Sequence, residues 1–409
     1  MRVLVLHNDY RERGGEDVVA RAEVALLRAH GVEVLDAFVD NHDEGGGWLG
    51  AARLVWESAW SQASYRRVQD LVQTFRPDVV HVHNFWLRLS PSVHAACAAA
   101  GVPTVQTLHN FRLLCANGLF LRDGHACQDC LGHLPWRGAV RGCYRGSVAA
   151  SAAVVRMVAV NRRRRTWTSD VGAFIALSQY SRDLFVRGGL PADRLFVKPN
   201  CVDDAGEPTS VPSASRDIVF VGRLSAEKGV DVLLRAWSRV QAPDARLVIV
   251  GSGPEEAALK TQAAALGLPE SRLRFTGALS QNGVREVMDG ARAVVIPSLW
   301  YENFPRTFVE ALSRGRATVV SDLGALREVG SPDLALRVEP GDADSLAQAL
   351  GVLLASGSLA DELGQSARAT YLARYTPATN VTQLLQIYER AGARRAVASS
   401  PAEEVAHVD

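Results

Sequence analysis

The sequence predicts an α/β protein built from two doubly wound domains, each a parallel sheet with helices on both faces. Eleven short runs rich in Val, Ile and Leu recur along the chain, each followed by a helix-like segment. Continuous apolar strands alternating with helices belong to parallel sheets buried on both sides. The runs fall into a series of five and a series of six, separated by an aperiodic stretch rich in Pro, Ser and Asp. With 409 residues, 47% of them hydrophobic, the chain can bury two cores.

The first series is "RVLVLH", "VEVLDAFV", "DVVHVH", "PTVQTLH" and "AFIALS", which sets the first domain at residues 1–200. The aperiodic stretch "CVDDAGEPTSVPSASR" at 201–216 suits a linker. The second series, "DIVFVG", "RLVIVG", "LRFTG", "AVVIP", "ATVVS" and "LALRV", places the second domain at 217–375. A C-terminal helix is expected within 376–395, over "ATNVTQLLQIYERA", followed by a disordered tail at 396–409.

Lys plus Arg exceed Asp plus Glu by one, so no overall field recruits nucleic acid or a membrane. The first apolar run ends in polar residues too soon for a signal peptide, and no run reaches the roughly 18 to 20 apolar residues that span a bilayer. The expected location is cytoplasmic, at the inner face of the cell membrane if local patches bind it.

Open parallel sheets bind ligands beyond the carboxyl ends of their strands. In the second half those positions hold a coherent set. Arg223 and Lys228 follow "DIVFVG", and "GSGPEE", with Gly251 and Gly253, follows "RLVIVG" and leads into a helix. After "AVVIP" comes "SLWYENFPRTFVEALSRGRATVVS", where Pro305 fits the first helical position and leaves open N–H groups. Two cations and a helix N-terminus make a site for a diphosphate. Glu302 precedes that turn and Glu310 lies about 7 Å along the helix, so the two carboxylates would flank the diphosphate and accept hydroxyls on either side. A nucleotide sugar carries hydroxyls on both sides of its diphosphate.

The stretches "VGRLSAEKGVDVLLRAW", "VGSGPEE" and "YENFPRTFVEALSRGRATVVSDLGALREV" resemble the second domain of retaining glycosyltransferases of family 4, and "HNDYRERGGEDVV", "TLHNFR" and "ALSQYSRDLF" extend the likeness through the first. The resemblance implies the GT-B fold, two Rossmann-like domains facing a cleft, and transfer of a sugar from a nucleotide diphosphate donor to a hydroxyl acceptor with retention and without a catalytic metal. It further implies that Arg223 and Lys228 bind the diphosphate, that Glu310 holds the ribose, and that Glu302, Asn303, Phe304 and Pro305 reach the sugar. Gly14 and Gly15 would close on the phosphates, and His109 would lie near the reacting centre. His109 also has a plainer reading, since a strand-end histidine is often only a hydrogen-bonded structural group. Cys201 in "PNCVD" replaces a glycine of the pattern, which questions the local backbone, and Asn303–Phe304 depart from it too, so no sugar preference is implied.

Rival readings fit less well. A dinucleotide oxidoreductase would want a third glycine in "GSGPEE". A glycoside hydrolase could use two carboxylates but needs no cation pair. A GT-B sugar-nucleotide epimerase and an inactive nucleotide-sugar-binding partner stay as alternatives.

The first domain carries an insertion at about 111–168. Within it Cys115, Cys127, Cys130 and Cys143 are separated by eleven, two and twelve residues, a set that could hold a structural zinc, with His125 and His133 as substitutes. Unligated thiols or a Cys127–Cys130 redox pair are the alternatives. Arg137, Arg141, Arg145, Arg156 and Arg162 to Arg165 follow without an acidic residue over 131–168, bracketed by Trp136 and Trp167. That combination suits contact with an anionic bilayer bearing a lipid-linked acceptor. Nucleic acid is not expected, because no regular aromatic platform accompanies the charge.

Overall fold

The computed structural model describes residues 1–10, 14–40, 47–204 and 206–393. The expected tail at 396–409 lies outside the described residues. The first sheet comprises β1 (Arg2–Asn8), β2 (Glu33–Val39), β3 (Val79–Asn84), β4 (Thr104–Thr107), β7 (Ala173–Ala176) and β8 (Leu195–Val197), in the order β2-β1-β3-β4-β7-β8. The pair β5 (Leu121–Arg122) and β6 (His125–Ala126) forms a separate antiparallel hairpin in the insertion. The second sheet contains β9 (Asp217–Val221), β10 (Arg246–Val250), β11 (Leu273–Gly277), β12 (Ala293–Ile296), β13 (Ala317–Ser321) and β14 (Ala335–Val338), ordered β11-β10-β9-β12-β13-β14. Within both six-stranded sheets the pairings are parallel.

All eleven strands expected from the apolar runs are present, in two doubly wound domains. Each strand order reverses once, between β1 and β3 and between β9 and β12. At a reversal neighbouring crossovers leave in opposite directions and open a crevice at the carboxyl ends. The fold thus places Gly14–Gly15 beyond β1 and both Lys228 and Glu302 beyond β9 and β12.

Three features add to the expected domain organisation. Among its described residues the segment 201–216 has no strand, as a linker should, and it is held on the second domain. Arg368 pairs with Asp204 at 2.9 Å and Glu207 at 3.2 Å, Arg314 donates to the Gly206 carbonyl at 3.0 Å, and the fully buried Arg316 donates to the Ser210 carbonyl. The insertion packs into the first domain's core: its helix Val148–Arg163 buries Ala153, Val154, Met157 and Val158, and Phe111 and Phe120 are fully buried in the same cluster as Leu4, Val80 and Phe174 of the sheet. The last helix, Pro377–Arg390, packs on the first domain, with Tyr388 Oη 2.8 Å from His81 Nδ1. The chain therefore crosses between domains twice.

Among the described residues no single helix is long and apolar enough to cross a membrane.

Candidate active site

Three loops at the carboxyl edge of the second sheet are drawn together by glycines. A Cβ on Gly251, whose φ is +136°, would lie 1.9 Å from the Gly222 carbonyl oxygen; on Gly253, 2.3 Å from that of Leu224; on Gly229, 2.1 Å from that of Pro297. Side chains there would force the backbones apart. Leu224 N–H donates to Ser252 at 2.9 Å and Leu299 N–H to Glu227 at 2.9 Å, which fixes the loops in register. The part of Gly251 and Gly253 visible in the structure is thus to let one loop seat on its neighbour.

This packing brings Lys228 to Glu302 across 74 positions of sequence. Lys228 Nζ lies 2.6 Å from Glu302 Oε1, and the same oxygen accepts from Ser298 Oγ at 2.7 Å and Trp300 Nε1 at 3.1 Å. Glu302 is buried and three donors converge on one of its oxygens, so it anchors the Lys228 ammonium beside the Trp300 ring, 5.4 Å from its centroid. Arg223 stands exposed just beyond β9.

The turn after β12 ends one residue later than expected. Pro305 is the N-cap and the helix runs Arg306–Ser313, so the first-turn amides of Arg306 and Thr307 lack intrahelical acceptors. Glu310 lies on that helix with Oε1 accepting from Arg306 Nε at 2.9 Å. Both line a cavity of about 270 Å³, walled on its apolar side by Val221, Val284 and Met288 and completed from the first domain by Gly15. A pocket with a carboxylate on one wall and aliphatic groups on the other can take a ribose and its base. Phe304 points away into the core, its ring 5.9 Å from that of Tyr375, and so seats the loop. Asn303 Nδ2 donates across the cleft to the Leu108 carbonyl, next to His109, while its Oδ1 is buried without a partner.

The first-domain side is a buried polar cluster. Gly14 caps the helix Gly15–Ala29, and its N–H donates to Asp17 Oδ2 at 2.6 Å. Asp17 Oδ1 is 2.8 Å from His7 Nε2. Burial pushes the Asp17 carboxyl up, but His7 and the N–H groups of Gly14 and Tyr10 more than offset it, and its pKa is lowered. Burial, with smaller opposition from Asn110, raises the pKa of Glu16, which accepts from Asn110 Nδ2 at 2.7 Å. His109 follows β4, with Nε2 2.9 Å from His83 Nδ1 and the rings stacked at 5.2 Å. Burial, then the neighbouring His83, holds His109 well below the ordinary histidine range, so it is neutral at pH 7.

Sequence reasoning found the second-domain residues and His109 but missed His7, Glu16, Asp17, Glu23 and His83. Their one available signal was the histidine pair in "HVH" at the end of β3. Cys201 is absent from the non-glycine residues with positive φ among those described, so its side chain replaces a glycine without backbone strain. Trp167 is not an interfacial aromatic: it is buried and stacks on Phe85 at 5.7 Å. The exposed tryptophans are Trp136, 55% exposed, and Trp56, 68% exposed with Arg156 3.8 Å over its ring.

Among the described residues, His, Cys, Asp and Glu ligand atoms gather within 4.8 Å in groups of three at Glu23–His81–His83 and His7–Asp9–Asp17, and the cysteines form no such group. In the first of these groups the Lys198 ammonium, 2.9 Å from Glu23 Oε2, supplies the charge a metal would bring. Cys115 donates to Asn117 Oδ1 at 3.0 Å, and burial lifts its thiol to about 11. Burial and then the neighbouring Cys127 also raise Cys143, so the thiols share one neighbourhood without converging.

Residues 13–205 match the family described as Glycosyltransferase Family 4, and residues 205–370 match Glycosyl transferases group 1. The chain is 29% identical over 345 residues to the alpha-maltose-1-phosphate synthase of Mycolicibacterium smegmatis, covering 77% of this chain and 79% of that protein. It is 32% identical over 234 residues to the phosphatidyl-myo-inositol mannosyltransferase of Mycobacterium leprae, covering 55% of this chain and 61% of the relative. Among solved structures, Anabaena HepE in complex with UDP superimposes with a TM-score of 0.67 at 18% identity, over 95% of this chain and all 100% of the other, and the same protein was solved with UDP-glucose.

Proposed function

Because the chain belongs to the GT-B glycosyltransferases, we propose that it moves a sugar from a nucleoside diphosphate sugar to a hydroxyl acceptor with retention, in building a cell-surface polysaccharide or glycolipid. The observation that carries this reading is the cavity shared by Glu310 and Gly15, which joins a nucleotide-sized pocket in one domain to the cleft edge of the other. Lys228 and Arg223, with the amides of Arg306 and Thr307, stabilise the departing diphosphate, where negative charge develops as the glycosidic bond breaks. Glu302 keeps the Lys228 ammonium in place. Glu310 holds the ribose hydroxyls, and His109 meets the sugar. The acceptor attacks on the face the diphosphate leaves, and a phosphate oxygen takes its proton. Closure of the cleft excludes water that would hydrolyse the donor.

UDP-sugars are the first donors to try, since HepE binds UDP and UDP-glucose. A thermal-shift screen with UDP-, GDP-, ADP- and TDP-sugars should give a selective rise with one base, because a ligand at about 100 times its Kd adds roughly 2.7 kcal/mol to the folded state. Glu310→Ala should abolish that rise while leaving the unliganded melting point within a degree or two. A rise with NAD alone, or equal rises in the variant, would remove the reading.

The acceptor is read as lipid-linked. Leu134, Trp136, Val140 and Val148 are exposed on the insertion among Arg137, Arg141 and Arg145, a surface that fits an anionic bilayer. Flotation with vesicles containing phosphatidylglycerol tests it: protein that stays at the bottom of the gradient at low salt rules the surface out. A structural zinc on Cys115, Cys127, Cys130 and Cys143 remains part of the proposal, although their sulfurs do not gather into one group among the described residues, and elemental analysis finding no zinc in purified protein removes it.

A further inference from the structure

Beneath His109 runs a line of buried groups that the transfer reaction does not use directly. His109 Nε2 is 2.9 Å from His83 Nδ1, and His83 Nε2 faces Glu23 Oε1 at 3.2 Å. Glu23 Oε2 is 2.9 Å from Lys198 Nζ, which also donates to Asn380 Oδ1 at 3.0 Å. His81 approaches the same carboxylate with Nδ1 at 3.0 Å and accepts or donates at Thr107 Oγ1 through Nε2 at 2.7 Å. These contacts draw on β3, β4, the helix Gly15–Ala29, the segment after β8 and the last helix.

The proton positions along this line follow by elimination. Lys198 carries only donors, so the Glu23 oxygen facing it accepts. Burial opposes ionisation of Glu23, but Lys198 and then His81 and His83 outweigh it and hold the carboxyl well below its usual range. Both carboxylate oxygens are therefore acceptors. His83 Nε2 faces Glu23 Oε1 at 3.2 Å, and an oxygen that can only accept disfavours a lone pair on the nitrogen opposite, so the proton sits on His83 Nε2. Burial first, then His81, lowers His83 to about 3, and a neutral imidazole has one N–H. His83 Nδ1 then accepts, and the donor 2.9 Å away is His109 Nε2.

We propose that Glu23, acting through His83, fixes His109 as the Nε2–H tautomer and leaves Nδ1 as its hydrogen-bond acceptor. Glu23 and His83 are positioning residues; the group they set is His109. The consequence for chemistry rests on the proposed function: a hydroxyl bound by His109 must donate to it, so His109 orients a sugar or acceptor hydroxyl and delivers no proton to the leaving phosphate. The same geometry explains why Lys198 is needed. With an ammonium on one side, an amide at position 23 would turn its oxygen to Lys198 and its NH₂ to the histidines. Glu23→Gln would then make His83 Nε2 an acceptor, move its proton to Nδ1, and drive the His109 proton from Nε2 to Nδ1.

The test is a two-bond ¹H–¹⁵N correlation spectrum of full-length protein labelled at histidine, with His83→Gln and His109→Gln used for assignment. The expected wild-type result is an Nε2–H pattern for both residues at pH 7, and an Nδ1–H pattern for both in Glu23→Gln. A wild-type His109 carrying its proton on Nδ1 overturns the proposal, as does a Glu23→Gln spectrum with unchanged tautomers. In the same variant kcat should fall about 10-fold, the scale of one hydrogen bond reversed, with the donor KM changed less. If the tautomers reverse as expected while His109→Ala keeps full activity, the role of His109 in transfer fails and the relay itself stands.

Discussion

Replacing Lys228 with alanine should lower kcat by about 10² to 10³-fold, the usual cost of removing one fixed donor aimed at developing charge. The expectation comes from how the ammonium is held. It is only partly exposed, it lies 2.6 Å from Glu302 Oε1, and that oxygen is itself fixed by Ser298 and Trp300. A charge held this way needs no reorganisation when the diphosphate leaves. Lys228→Arg should recover little, since a planar guanidinium cannot occupy the ammonium's place against a single oxygen and an indole. Initial rates of nucleotide release with saturating donor measure the effect. Turnover within threefold of wild type would mean that the leaving group is stabilised by other residues.

Replacing Lys198 with methionine should be the most damaging change to stability in the first domain. It strands the Glu23 carboxylate, 6% exposed, without its cation, and breaking a buried pair from one side costs about 3 to 5 kcal/mol. For a domain of roughly this size that is a fall on the order of 10 °C in melting temperature by calorimetry. The pH dependence carries a sign. Glu23 is depressed in the folded state, so its contribution is present above the unfolded carboxyl range and is lost as pH falls through the folded value. In Lys198→Met the carboxyl can take up a proton at higher pH, and the gap between variant and wild type should narrow towards pH 4. The double change Lys198→Met with Glu23→Gln should recover part of the loss, because the stranded charge is gone. A melting point within one degree of wild type at pH 7 would show that the pair does not stabilise the domain.

How much of this was legible in the sequence depends on the range of the contacts. The strands were readable because a buried parallel strand writes its burial into consecutive residues; β8 was missed because "LFV" is three residues long. The second-domain site was readable because Arg223, Lys228 and Glu302 sit within seven positions of a strand end and Glu310 lies on the helix that follows β12. The first-domain cluster was not, since Lys198 meets Glu23 across 175 positions and Asn303 meets Leu108 across 195. Nor could Trp167 be told from Trp136 by composition: one closes the core and the other faces solvent.

The second crossing of the chain bears on how the protein would respond to a protease. Because Pro377–Arg390 returns to the first domain and anchors there through Tyr388 and Asn380, a single nick in 201–216 would not set the halves adrift. The C-terminal fragment would keep its own last helix docked on the N-terminal one, and the two would travel as one particle on a sizing column. Separation would take a second cut, near 375, which would leave the last helix on the first domain with Asn380 and Tyr388 still against Lys198 and His81. The hinge of this protein is thus a pair of strands of chain running in opposite directions, and a pair restricts twisting where a single tether would allow it.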